Sequence, residues 1–105
     1  MSVGNSSAGL IETPTLRLPA INVGQRQRDR LRAENVFDCE PVAAEISAAL
    51  DRVLRDPAAR ARAAGCSQPY GDGQAGERIA SVIARVELGP ALLDKRMTIG
   101  VPHDR

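Results

Sequence analysis

The sequence predicts an α/β fold in which short parallel strands are flanked by helices. Short runs that contain β-branched residues alternate along the chain with segments of helical periodicity, and seven Pro and nine Gly keep every element short. Strands that alternate with helices normally pair in parallel, because each helix carries the chain back to the same edge of the sheet. A chain of 105 residues has room for one domain at most.

The first elements are predicted to be a strand end, a tight turn and a helix. Residues 1–3 form the end of the strand, and Gly4 allows the backbone to turn sharply. Ser6 and Ser7 suit a helix N-cap, where a hydroxyl accepts from an unpaired amide. The helix covers residues 7–13, because Pro14 pushes the residue before it away from helical geometry.

Two further strands are predicted at residues 19–23 and 35–39. Ile21 and Val23 are β-branched and alternate with smaller or polar residues, while Val36 and Phe37 are the apolar part of the later strand. Residues 25–32, between these strands, are rich in arginine and form a loop or a helical turn.

Three helices follow, at residues 41–54, 58–64 and 75–86. The first has apolar residues at three- and four-residue steps, with Pro41 in its first turn. Asp56 and Pro57 begin the second helix, and Gly65 ends it. Residues 66–74 form a loop, and residues 89–105 are predicted to be a poorly ordered tail.

The turn at residues 4–7 also predicts an anion site. Amides and hydroxyls at a helix start, with the helix dipole behind them, bind anions and above all phosphate. Glu12 lies about one and a half turns further on, within reach of hydroxyls on a group attached to that phosphate. The alternative is an ordinary N-cap at Ser6 and Ser7, with Glu12 on a solvated face.

Composition excludes several other classes of function. A formal net charge of +1 argues against a general nucleic-acid binder, and no apolar run is long enough to span a membrane. Of the 14 basic residues 13 are Arg, which suits phosphate contacts but also fits a GC-rich genome. Cys39 and Cys66 have no metal or redox spacing, so we expect two buried thiols in a cytoplasmic protein without metal or cofactor.

Five motifs follow one another along the chain: GNSSAGLIE at residues 4–12, PAINVG at 19–24, RQ at 26–27 with Arg30, ENV at 34–36, and YGDGQA at 70–75 with Arg78. In this order they resemble the C-terminal part of the hydrolysing UDP-N-acetylglucosamine 2-epimerases. The resemblance extends from about residue 3 to residue 86. The combination of the GNSS run with GxRQ favours the hydrolysing branch.

The resemblance implies half of a Rossmann-like domain within a two-domain, GT-B-like epimerase. Residues 1–88 would be the C-terminal part of the epimerase domain, and residues 89–105 its tail. Matched motif to motif, Ser6 and Ser7 would bind the UDP diphosphate, Glu12 the ribose hydroxyls, and Arg26 the UDP. The chain departs from the family at Asp29, where the family usually has glycine, and at residue 74, where it usually has asparagine.

The family reaction eliminates UDP from the sugar nucleotide and then adds water, which releases an N-acetylmannosamine-type sugar. The general acid and base come from the N-terminal domain and from earlier parts of the C-terminal domain, so no catalytic residue is predicted here. We therefore expect a C-terminal fragment that contributes to UDP-sugar binding and is inactive alone. It either works with a separately encoded N-terminal half or is a pseudogene product.

Two alternatives belong to other classes of protein. The chain could be a non-catalytic module that binds nucleotides or partner proteins and retains the phosphate site. It could also be a small Arg-rich interaction protein. UDP binding separates the epimerase fragment and the nucleotide-binding module from the last alternative.

Overall fold

The computed structural model describes residues 1–94 of the chain. These residues belong to two compact units, which begin at Met1 and at Gly73. The first unit contains a sheet with three helices, and the second contains two helices. The units are described separately below.

A three-stranded parallel sheet forms the centre of the first unit. Its strands are β1 (Ser2–Gly4), β2 (Ala20–Val23) and β3 (Val36–Cys39), and β2 lies between the other two. All pairs are parallel, with Gly4 beside Asn22 and Asn22 beside Asp38. The predicted α/β class is confirmed, and the arrangement is consistent with part of a Rossmann-like epimerase domain.

Alternate residues of the strands build a core on each face of the sheet. The helices of this unit are α1 (Ala8–Ile11), α2 (Ala43–Arg55) and α3 (Pro57–Ala64). On one face Ile21 and Phe37 pack against side chains of α2 and α3. On the other face Ala20 and Val36 pack with Leu10 of α1. This division follows from the two-residue period of a strand, which sends neighbouring side chains to opposite faces.

Helix α1 is shorter than the seven residues that the sequence predicts. It has a single turn, because the Thr13 backbone N–H bonds to the Ala8 carbonyl at 3.3 Å, five residues back. The Thr13 hydroxyl meanwhile donates to the Gly9 carbonyl at 2.7 Å. The Thr13 hydroxyl thus takes the Gly9 carbonyl, to which the Thr13 N–H would bond in a continuing helix. Pro14 has no N–H and cannot restore the helical pattern.

Helices α2 and α3, which cover the face of Ile21 and Phe37, begin differently from one another. Helix α2 starts at Ala43 and not at Pro41, because Val42 is extended with φ −123° and ψ 132°. Helix α3 begins as predicted: Asp56 Oδ1 accepts from the Ala58 N–H at 2.9 Å, and Pro57 occupies the first turn. A carboxylate acceptor followed by proline satisfies the first amides of the helix from local sequence alone.

The second unit contains α4 (Ala75–Arg85) and α5 (Pro90–Leu93). The predicted apolar face of α4 is present and is exposed at Ile79, Val82 and Ile83. Helix α5 lies within the predicted tail at residues 89–105, and residues 95–105 are outside the described part of the chain. None of the helices in residues 1–94 combines the length and apolar character needed to span a lipid bilayer.

Candidate functional site

The loops that follow β1 and β2 lie at the same edge of the sheet. Asn5, Ser6 and Ser7 follow β1 directly, while Arg26 and Gln27 lie shortly after β2. Because the strands are parallel, these loops share the edge formed by the carboxyl ends of the strands. Ligands of open α/β sheets bind beyond this edge. The two runs that carry the family resemblance most strongly are therefore neighbours in the fold.

The two serines differ in their hydrogen bonds. Ser6 Oγ accepts from the Ala8 N–H at 3.3 Å, so the predicted capping role falls to Ser6. Ser7 has helical backbone angles, and its side chain makes no capping bond. Within residues 1–94, no protein acceptor bonds the backbone N–H of Ser6 or of Ser7. These two amides can donate to an oxyanion, whereas the dipole of a one-turn helix adds little.

Arg26 reaches the serine loop through its neighbour Asn5. Its Nη1 donates to Asn5 Oδ1 at 3.5 Å, a long bond between two exposed side chains. The guanidinium is therefore beside the loop while its other N–H groups face solvent. Such a group can form a bidentate contact with a phosphate, which a lysine cannot.

Gln27 makes the tighter connection between the two loops. Its Nε2 donates to the backbone carbonyl of Asn5 at 2.9 Å, and the residue is only 3% exposed. Gln27 belongs to the GxRQ motif, but the sequence pattern predicts no role for it or for Asn5. The motif was the available signal, but burial of this side chain depends on the fold bringing residues 5 and 27 together.

Glu12 is not bonded to the other predicted binding residues that the structure describes. It is exposed at the end of α1, where its N–H bonds to the Ala8 carbonyl at 3.0 Å. In the part of the chain that is described, no hydrogen bond or ion pair connects Glu12 with Ser6, Ser7 or Arg26. Its contact with ribose stays a prediction.

Asp29 keeps the local turn that the family usually makes with glycine. Its φ is 64°, in the left-handed region that L-residues seldom occupy. Asp is among the few side chains that tolerate this conformation, because its short polar group can bond locally. The departure from the family motif therefore does not remove the turn before Arg30.

A hydrogen-bonded group fixes the ends of β2 and β3. Asp38 accepts from Asn22 Nδ2 at 2.7 Å and from Arg32 Nε at 2.8 Å. Arg32 Nη1 also donates to the Arg30 carbonyl at 2.8 Å, which ties the arginine-rich loop to β3. The hydrogen bonds of Arg32 thus fix the end of the residue 25–32 loop that lies nearer to β3.

A cavity of about 470 Å³ lies beside this group, but it does not include the predicted phosphate residues. Its lining contains four carboxylates but only two arginines, Arg28 and Arg32, so it is unfavourable for a diphosphate. Burial, and then the carboxylates of Glu45, Asp38 and Glu40, raise the pKa of the Cys39 thiol in this lining above its ordinary value. Because the cavity is unfavourable for a diphosphate, we place the candidate site at the serine loop. The residues lining the cavity are Gly24, Gln25, Arg28, Asp29, Arg32, Asp38, Cys39, Glu40 and Glu45.

Two predictions about thiols and metals can be compared with the described residues. Cys39 and Cys66 are free, but only Cys66 is buried, since Cys39 is partly exposed at the end of β3. Across residues 1–94, no three His, Cys, Asp or Glu side chains are grouped closely enough to hold a metal ion.

The sequence profile described as UDP-N-acetylglucosamine 2-epimerase matches residues 1–84. The chain belongs to this family. The match covers the sheet, α1 to α3 and most of α4, so both loops of the candidate site lie within it. The resemblance inferred from five ordered motifs is thereby confirmed.

Two of three relatives of this epimerase-family chain carry the word hydrolyzing in their names. UDP-N,N'-diacetylbacillosamine 2-epimerase (hydrolyzing) of Legionella pneumophila is 34% identical over 93 residues, which is 89% of this chain and 23% of the relative. GDP/UDP-N,N'-diacetylbacillosamine 2-epimerase (hydrolyzing) of Campylobacter jejuni is 50% identical over 38 residues, or 36% of this chain and 10% of the relative. Polysialic acid biosynthesis protein P7 of Escherichia coli is 53% identical over 36 residues, or 34% of this chain and 9% of the relative.

The chain thus spans less than a quarter of the length of each of these relatives. Family membership applies to the part that matches. The activity, substrate and partners of a whole epimerase are treated below as proposals for this chain.

Proposed function

We propose that this chain is the C-terminal part of a hydrolysing UDP-sugar 2-epimerase, contributes part of the UDP site, and is inactive alone. The observation that carries the proposal is a contact between the loops that follow β1 and β2, both of which contain family motifs. At the carboxyl edge of the sheet, Arg26 and Gln27 of one loop both bond to Asn5 of the other. Family membership over residues 1–84 supports the same assignment.

The proposed site binds the nucleotide through three kinds of contact. Ser6 and Ser7 donate hydrogen bonds from their backbone N–H and hydroxyl groups to the diphosphate oxygens. Arg26 supplies positive charge beside them, and this charge stabilises the pyrophosphate as it leaves the sugar. Glu12 accepts hydrogen bonds from the two vicinal ribose hydroxyls.

The reaction that this site serves is elimination of UDP followed by hydration, with release of an N-acetylmannosamine-type sugar. Elimination also needs a general acid and base at the sugar, and these come from a separate N-terminal epimerase part that includes the earlier portion of the C-terminal domain. The names of the relatives favour an N-acetylated amino sugar attached to UDP, and the Escherichia coli relative favours a route related to sialic acid. A cytoplasmic location fits the two free thiols.

Calorimetry with UDP tests the binding part of the proposal. We expect binding by the 105-residue chain, and weaker binding by at least about tenfold in Ser7→Ala and in Glu12→Ala, because each loses a contact with the nucleotide. Ser47→Ala is the matched control, since Ser47 is exposed on α2, away from the site. Absence of UDP binding at millimolar concentration contradicts the proposal, and so does equal affinity in all four proteins.

Turnover distinguishes the fragment from a non-catalytic module. We expect no release of UDP from UDP-N-acetylglucosamine by the chain alone. We expect release when the rest of a hydrolysing family enzyme is added, that is, its N-terminal domain together with the part of its C-terminal domain that precedes the match to this chain. Turnover by the chain alone contradicts the assignment of the acid and base to another polypeptide. UDP binding that never leads to turnover in the mixture favours the nucleotide-binding module instead.

A further inference from the structure

Gln27 is a buried polar residue whose position the UDP-site proposal leaves unexplained. We propose that Gln27 is a positioning residue: it holds the Asn5 carbonyl and thereby points the Ser6 backbone N–H at the phosphate oxygens of the nucleotide. The inference rests on the proposed function, since it concerns how the same site is organised.

The geometry of one peptide group connects Gln27 with the phosphate. The Asn5–Ser6 peptide is trans, as are all peptide bonds in the described chain, so its carbonyl and its N–H point in opposite directions. Gln27 Nε2 holds the carbonyl end at 2.9 Å on the protein side. The Ser6 N–H at the other end therefore points away from Gln27, and none of the described residues accepts a hydrogen bond from it.

A second contact to Asn5 limits rotation of the same loop. Arg26 Nη1 bonds to the Asn5 side chain, while Gln27 bonds to the Asn5 backbone. Two consecutive residues of the β2–β3 loop thus hold one residue of the β1–α1 loop. A peptide that is fixed before the ligand arrives donates without the cost of being ordered on binding.

The cost of burying Gln27 argues against a role limited to stability. Its Oε1 is buried and has no hydrogen-bond partner among the described residues. An unmet buried acceptor costs about 1–3 kcal/mol, which offsets the net gain of about 1 kcal/mol from the bond that Nε2 makes. A methionine would fill nearly the same space without this cost. The glutamine is thus explained by what its donor does to the Asn5 peptide.

Two substitutions separate orientation of the peptide from stability of the fold. Gln27→Met keeps the shape of the side chain and removes the donor. Gln27→Glu keeps the shape and places a carboxylate against the Asn5 carbonyl, which repels it. Gln25→Met is the matched control, because Gln25 is an exposed glutamine in the same loop. Within residues 1–94 its side chain makes no hydrogen bond, and its backbone carbonyl, which accepts from the Arg28 N–H at 3.0 Å, is kept in the variant.

The experiment measures UDP affinity, inorganic pyrophosphate affinity and the 15N–1H spectrum of the full chain. We expect Gln27→Met to unfold at the temperature of the parent chain or above it, and to bind UDP and pyrophosphate about tenfold to a hundredfold more weakly. The Ser6 amide should shift or broaden in the ligand-free variant, while amides of α2 stay unchanged. Gln27→Glu should weaken both ligands further, and Gln25→Met should change none of these readouts.

Each contrary result has a distinct meaning. An unchanged Ser6 amide in Gln27→Met overturns the positioning role, whether or not the chain binds UDP. A shifted amide with parental UDP and pyrophosphate affinity also overturns it, because the orientation would then not serve the phosphate. If the parent chain binds UDP and Ser7→Ala weakens it, while Gln27→Met does not, the proposed function stands and this inference fails. No binding of UDP by the parent chain overturns the proposed function itself.

Discussion

Asp29 provides a test of backbone strain at a single residue. Its φ of 64° is costly for most L-residues and easy for glycine. We expect Asp29→Gly to raise the free energy of unfolding by up to about 1 kcal/mol, because relief of strain exceeds the extra entropy of the unfolded chain. Asp29→Val should lower it by about 1–2 kcal/mol, since a β-branched side chain fits this region poorly. Urea unfolding of both variants measures the difference.

The control for Asp29 is a glycine placed where the backbone needs none. Gln25 lies in the same loop with no positive φ, so Gln25→Gly should lower stability slightly. If Asp29→Gly lowers the free energy of unfolding by as much as Gln25→Gly, backbone strain at residue 29 does not contribute significantly to it.

Single residues also show where sequence reasoning reaches its limit. Asp56 was correctly predicted as a helix cap, because the cap depends on residues two positions apart. Gln27 was not given a role, because its bond spans 22 positions and its burial appears only in the folded chain. The contact of Arg26 with Asn5 likewise depends on which strands become neighbours.

Helix α3 shows how one arginine attaches an element to the sheet. Arg62 Nε donates to the Glu34 carbonyl at 2.6 Å and its Nη2 to the Val36 carbonyl at 2.9 Å. The same guanidinium lies 4.3 Å from the centre of the Phe37 ring. Together with buried Ala59 and Ala63, these contacts fix a helix that has little apolar surface of its own.

We expect Arg62→Lys to lower the free energy of unfolding by about 1–2 kcal/mol. An ammonium group cannot donate to two carbonyls in the fork geometry of a guanidinium while covering an aromatic ring. Arg60→Lys is the control, because Arg60 is exposed on the same helix and its side chain makes no hydrogen bond or ion pair among residues 1–94. Its backbone N–H, which bonds to the Asp56 carbonyl, is kept in the variant. Thermal unfolding followed by circular dichroism measures both. Equal loss in the two variants would show that α3 is held by its alanines alone.

Most element boundaries followed from local sequence, and the exceptions have identifiable causes. Helix α1 is short because the Thr13 hydroxyl takes the Gly9 carbonyl, a competition that periodicity does not report. Helix α2 starts late because Val42 is extended. The strands were predicted within one or two residues, since β-branched residues and glycine mark their ends.

At the scale of the whole molecule, ordered motifs predicted the family better than physical patterning could. From physical patterning alone, residues 4–12 could form either a phosphate site or an ordinary helix N-cap. Five motifs in order, in contrast, predicted a family that the profile match confirms. Neither source predicted that Asn5 would join the two loops. The residue types of the candidate site were therefore predictable from sequence, whereas the contacts that join Asn5 to Arg26 and Gln27 are visible only in the structure.

The sheet also leaves an edge that predicts how the molecule behaves in solution. Within residues 1–94, β1 pairs with β2 on one side only, and its central residue Val3 is 47% exposed. An unpaired edge with an apolar side chain is a template for pairing with a second chain. We therefore expect the weight-average mass to rise above 11.2 kDa with concentration in sedimentation equilibrium. Val3→Lys should reduce this rise, because a charge on an edge strand opposes pairing. Leu16→Lys is the control, being 66% exposed outside the sheet, and an equal reduction there would assign the association to general surface hydrophobicity.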